Sequence, residues 1–155
     1  SDTISVFPPV LKAIANVDFI ILGPGDLFTS IIPNLLVPGL CEKLREVRAP
    51  MYHVVNIMTK YGETNHFQAC DFIATLESFM RCQITSAIVN NHRPDQRLLK
   101  LYRKQKSDFV EIGLVDNRCK IIGEDLLDTS GDIIRHDPQK LAALIERILH
   151  DTPPG

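Results

Sequence analysis

Residues 17–39 read VDFIILGPGDLFTSIIPNLLVPG, and this stretch decides the fold. Val17, Phe19, Ile20, Ile21 and Leu22 form a nearly unbroken apolar run of β-formers, the pattern of a strand covered on both faces of a parallel sheet. The run ends at Gly23-Pro24-Gly25, where two glycines around a proline permit a sharp turn and bring bare backbone amides close to whatever lies above the strand end. Asp26 is then expected to cap a new helix with its carboxylate, and Pro33 to stop that helix. Strand, glycine turn and helix in immediate succession form the junction at which open α/β sheets hold ligands.

Working outward, Pro8 and Pro9 suit the first turn of a helix with Leu11 and Ile14 inward, and Pro38 starts another in which Val37, Leu40, Cys41 and Leu44 share one side. Residues 51–57 predict a second strand, 84–89 a third, 108–112 a fourth, and 120–127 an edge strand. Helical stripes lie between them: Ala69, Phe72, Ile73, Leu76 and Met80, then Leu98, Leu101 and Tyr102 behind Pro94-Asp95, and finally Leu141, Leu144, Ile145, Ile148 and Leu149 behind Asp137-Pro138. Residues 1–7 read as a cut edge, so that a fragment is expected, and residues 151–155 as a frayed tail. This alternation implies a parallel sheet with helices on its faces. Right-handed crossovers then set the loops at residues 23–30, 56–64 and 90–93 along one rim.

Composition narrows the partners. The 155 residues are 45% hydrophobic, enough for one domain with a real core, and no apolar run approaches the ~20 residues of a membrane span. A formal charge of −2 gives no electrostatic case for a nucleic acid or a membrane. Cys41, Cys70, Cys82 and Cys119 lack the paired spacing of a zinc site and read as reduced thiols of a cytoplasmic protein.

On the rim, the amides of residues 23–26 can cradle a phosphate or a sugar hydroxyl, although the charge of Asp26 opposes a simple phosphate nest. Thr29 and Ser30 can donate to a ligand or bond their own backbone. Asn56, Thr59, Gly62, Glu63, Thr64 and Asn65 make the second loop unusually polar, with Thr64 open as a helix cap and Glu63 as an ion-pair partner. Arg135 has the fork to grip a phosphate, and His136 beside it caps or packs. His53, inside a strand, reads as a hydrogen-bonded structural histidine. His66 and His92 have no carboxylate pair at a fixed spacing, so no metal site is expected.

The blocks GPGDLFTSIIPNLLVPG, VVNIMTKYGETNHFQACD, IVNNHRPD and DIIRHDPQKLAALI together resemble the C-terminal half of the YvcK/CofD-like proteins, the gluconeogenesis factors related to 2-phospho-L-lactate transferase. The resemblance implies a Rossmann-like, three-layer αβα fold with a mainly parallel sheet, whose glycine-rich GGGTG half is expected to lie outside this sequence. It implies ligand-binding roles for Gly23, Pro24, Gly25, Asp26, Thr29, Ser30, Asn34, Asn56, Thr59, Gly62, Glu63, Thr64, Arg135 and His136. Asp26 stands where the family commonly has serine, Asn65-His66 replaces the more usual Asp-Gly, and His92 stands where glycine is frequent.

The YvcK branch, which the long first block and MTKYGET favour, implies a regulator of carbon metabolism and cell shape that binds a UDP-sugar or another nucleotide-linked small molecule. The CofD branch implies phospholactyl transfer from a guanosine diphosphate-activated donor to the deazaflavin Fo in coenzyme F420 biosynthesis. Mg enters only under that alternative, through Asp26 or Glu63. A homodimer stays open.

Overall fold

The computed structural model describes residues 5–114 and 119–151; residues 1–4 of the cut edge expected at 1–7, and residues 152–155 of the tail expected at 151–155, lie outside them. Four strands, β1 (Ile20–Leu22), β2 (Met51–Val54), β3 (Ser86–Asn90) and β4 (Lys120–Glu124), pair in the order β1-β2-β3-β4, and each pair is parallel. Around them lie α1 (Pro8–Ala15), a π turn (Leu27–Ile31) continuing into α2 (Ile32–Leu35), α3 (Leu40–Glu46), α4 (Ala69–Met80), α5 (Gln96–Lys104) and α6 (Pro138–Asp151).

The sheet divides the core because successive strand residues point to opposite faces. Met51 and Val55 meet Leu44 of α3 and Phe72 and Leu76 of α4 on one face, while Tyr52 and Val54 meet Leu141 and Leu144 of α6 on the other. The result is the expected three-layer α/β arrangement. The α4 stripe is buried at every expected position, Ala69, Phe72, Ile73, Leu76 and Met80. Asp137 accepts hydrogen bonds from the amides of Gln139 (2.8 Å) and Lys140 (3.1 Å), so α6 begins where the sequence says it should.

Five expectations need correction. β1 is half-buried at each residue and, among the described residues, pairs only with β2, because an apolar run records composition and not a place in the middle of a sheet. Asp26 makes no capping hydrogen bond; its carboxylate is drawn 34 residues along the chain to Lys60, 2.5 Å away. Pro33 does not stop a helix but sits in the first turn of α2, where its missing N–H costs nothing. In α5, Leu98 and Tyr102 pack inward as expected, but the deeply buried leucine is Leu99, and Leu101 is 46% exposed. Finally, residues 108–112 are not a sheet strand. Phe109 makes an antiparallel bridge to Met58, Val110 N donates to Ile57 O at 2.9 Å, and Ala69 N donates to Glu111 O at 2.8 Å. This β-prone segment satisfies its backbone against the loop after β2 instead of a strand.

The four cysteines are free, with Cys41 and Cys119 buried, and burial raises the pKa of both thiols. Among the described residues no helix is long and apolar enough to cross a membrane.

His53 is 1% exposed, its Nδ1 lies 3.0 Å from the Leu22 carbonyl and its Nε2 is buried without a hydrogen-bond partner. Burial pushes its pKa from 6.5 down to about 4, against a smaller opposing effect of the Leu22 bond. A cationic group depressed in the fold is neutral there while the unfolded chain takes up a proton. Stability is therefore intact above pH 6.5 and is lost as pH falls from 6.5 through about 4. Urea unfolding between pH 7 and pH 4 is expected to show His53 contributing roughly 3 kcal/mol to that loss. His53→Asn is expected to flatten the slope in this window, and an unchanged slope would assign the loss to other groups.

Candidate functional site

Parallel pairing places the loops after β1 and β2 side by side, and they are tied together. Gly25 N donates to Asn56 Oδ1 at 3.3 Å, and Lys60 Nζ reaches Asp26 Oδ2 at 2.5 Å, Glu63 Oε1 at 2.9 Å and Thr29 Oγ1 at 3.5 Å. Thr29 Oγ1 also lies 3.5 Å from Glu63 Oε1.

Beside this tie opens a cleft of about 400 Å³. The cleft is lined by Asp26, Asn56, Thr59 and Lys60 from the two rim loops, by Tyr102 and Gln105 at the end of α5, and by Arg135 and His136 ahead of α6. The structure thus gathers Asp26, Asn56, Thr59, Arg135 and His136 from the expected set.

The remaining expected residues take other places. Gly23, Pro24, Gly25, Ser30 and Asn34 line a separate, mainly apolar groove of about 390 Å³ together with Ile14, Leu35 and Leu44. Asn34 Nδ2 donates back to Ser30 O at 2.6 Å. Gly62 forms the turn of the second loop at φ +85°, its amide held by Asn65 Oδ1 at 2.7 Å. Thr64 does not cap α4; its buried hydroxyl accepts from Lys60 N at 2.9 Å and closes the loop. The loop at residues 90–93 lines neither space. Asn90 is buried, with Oδ1 accepting from Leu126 N at 3.0 Å, so it joins β3 to the chain after β4.

Thr59 is on the cleft wall, with its backbone and one side of its hydroxyl engaged by the neighbouring segment. Its Oγ1 accepts from Asp108 N at 2.8 Å, its amide donates to Asp108 O at 2.8 Å, and its carbonyl accepts from the Ser107 hydroxyl. Lys60, Tyr61, Tyr102, Gln105 and Ser107 are wall residues that sequence reasoning passed over. For Lys60 the signal was present, since it stands inside the polar loop between Thr59 and Gly62. Tyr102 was expected inward, and its hydroxyl accepts from Ile134 N at 3.0 Å.

The cations at the cleft are already partnered. Arg135 Nε donates to Asp128 Oδ2 at 2.8 Å, and the Ser130 hydroxyl and amide, with Arg135, hold Asp128 down at about 2. Hydrogen bonds that Lys60 donates to Asp26 and Glu63 raise its pKa. Burial lowers the His136 pKa against a hydrogen bond with the Val55 backbone, so the ring favours its neutral form; its Nε2 has no hydrogen-bond partner. Among the described residues no three His, Cys, Asp or Glu side chains gather as metal ligands. The carboxylates considered for Mg, Asp26 and Glu63, converge on the Lys60 ammonium, an arrangement that does not suit a divalent ion in the same place.

Residues 1–127 match the family described as 2-phospho-L-lactate transferase CofD. The chain belongs to the CofD family. It is 42% identical over 145 residues to a provisionally named gluconeogenesis factor of Aquifex aeolicus, covering 91% of this chain and 44% of the relative. It is 31% identical to the gluconeogenesis factor of Bacillus subtilis, covering 97% and 49%. A crystal structure of a Bacillus halodurans protein of the UPF0052 family superposes with a TM-score of 0.83 at 28% identity, covering 91% of this chain and 47% of that one. The CofD-family chain thus spans about half the length of the relatives it matches.

Two glycines of the rim separate steric from conformational cost. A Cβ on Gly23, at φ +85°, would lie 3.1 Å from Val54 O and 3.3 Å from Ile31 Cδ1, whereas one on Gly62, also at φ +85°, would meet nothing within 4 Å. Gly62→Ala is expected to lower stability by about 1 kcal/mol through backbone strain alone, and Gly23→Ala by roughly 2–3 kcal/mol. Chemical denaturation of both variants checks the order, and equal losses would remove the role given to the Val54 carbonyl.

Proposed function

We propose that this chain supplies part of the binding site of a regulator of carbon metabolism and cell shape, and that the site takes a UDP-sugar or another nucleotide-linked small molecule. The observation that carries the reading is the cleft at the carboxyl ends of β1 and β2, where Asn56, Lys60, Arg135 and the neutral ring of His136 surround a space of about 400 Å³. A volume of that order suits a small ligand, and loops beyond parallel strands are where α/β sheets bind them. Asn56 and His136 offer hydrogen bonds to hydroxyls, and Arg135 offers a guanidinium to a phosphate. The names of the Aquifex and Bacillus relatives support the regulatory side of the reading.

The description of the family as a transferase keeps one alternative, phospholactyl transfer to Fo. The engagement of Asp26 and Glu63 by Lys60 favours binding over that reaction. Calorimetry with UDP-N-acetylglucosamine is expected to register saturable binding, and Arg135→Ala to weaken it by ~1.5–3 kcal/mol. Absence of binding, together with turnover of Fo and the activated lactate donor, would replace this reading by the transferase.

A further inference from the structure

Lys60 and Asp26 both line the cleft, and their pairing is the tightest contact between the two rim loops, at 2.5 Å. The pair is open to water, with side chains 45% and 38% exposed, whereas Glu63, the other carboxylate on Lys60, is only 17% exposed and stands three residues along the same loop. Exposed ion pairs are weak and exchange readily, and lysine is a point charge on a flexible stem that changes partners without a fixed geometry. Asp26 has no capping task in the helical turn that follows it. Its carboxylate neutralises Lys60 on the cleft wall. Arg135 differs, because its partner Asp128 is itself gripped by the Ser130 hydroxyl (2.6 Å) and amide (2.8 Å).

We propose that Lys60 is the cation this chain yields to the diphosphate of a nucleotide-linked ligand, with Asp26 as the resident anion that the ligand displaces. Glu63 keeps the ammonium in place during the exchange. The inference rests on the function proposed above and deepens it: a diphosphate carries more charge than the carboxylate it replaces, so charge selects the ligand through a competition inside the site. Asp26 therefore opposes binding although it sits in the binding wall, and removing its charge strengthens the site.

The test is calorimetry on this chain with UDP-N-acetylglucosamine as the charged probe and uridine as the uncharged one. Asp26→Asn is expected to tighten the charged probe by about three- to tenfold, and Lys60→Gln to weaken it by about tenfold. The double variant is expected to match Lys60→Gln alone, because the gain from Asp26→Asn requires Lys60. Uridine is expected to respond to neither change. A pair that merely ties the loops predicts the opposite sign, with Asp26→Asn also weakening the charged probe. Weaker or unchanged binding by Asp26→Asn in a folded variant, judged by its unfolding midpoint, overturns the exchange and leaves the function standing. A wild-type protein that binds neither probe when this chain is joined to the other half of its relatives' length overturns both.

Discussion

Parallel pairing on both sides of β2 is the constraint on which the rest of the molecule depends. A strand with a parallel neighbour on each edge keeps its backbone groups satisfied inside the sheet, and its side chains then have to be covered on both faces. All four residues of β2 are buried, and α3 and α4 cover one face while α6 covers the other. The same geometry delivers the chain leaving β1 and the chain leaving β2 to one rim, 31 residues apart in sequence but joined by the Gly25–Asn56 hydrogen bond. The core determines that the two loops meet; their polar side chains determine how.

How they are held rigid is a separate matter. The loop after β2 has no helix or strand of its own until α4 begins at Ala69, so its backbone needs partners from elsewhere. Residues 107–111 provide them through the bonds to Ile57, Thr59 and Ala69. The brace engages the amide, the carbonyl and a hydroxyl lone pair of Thr59, and it holds the segment that carries Asn56 and Lys60 on the cleft wall. Polar groups near a site thus divide into those that hold the wall and those that face the space.

Much of the architecture was legible from local pattern. The α4 stripe, the Asp137 cap, the positions of the strands and their parallel sense follow from periodicity and from the lengths of the connections. What escaped was set by contacts between distant residues. Asp26 has the side chain of a helix cap, and nothing local to it reveals that Lys60 outcompetes the free amides. Residues 108–112 have strand propensity, but propensity does not name the partner, which proved to be a loop. Leu99 and Leu101 are equally apolar, and only packing against Ile57, Leu127 and Ile134 selects Leu99. In the candidate site the expected residues fall into two groups on the same grounds. Spacing brought Asp26 and Asn56 to one rim, while Gly23, Pro24 and Asn34 turn to the groove beside β1.

The cleft is walled by pieces drawn from four separated stretches, near residues 26, 56–61, 102–107 and 134–136. No one of them contains the space, which exists only while the fold that brings them together is intact. Occupancy is therefore coupled to cooperative unfolding: a bound molecule withdraws the native form from the folding equilibrium by mass action, and melting temperature becomes a function of its concentration. A shape assembled from such remote parts serves as its own reporter of whether the polypeptide is intact.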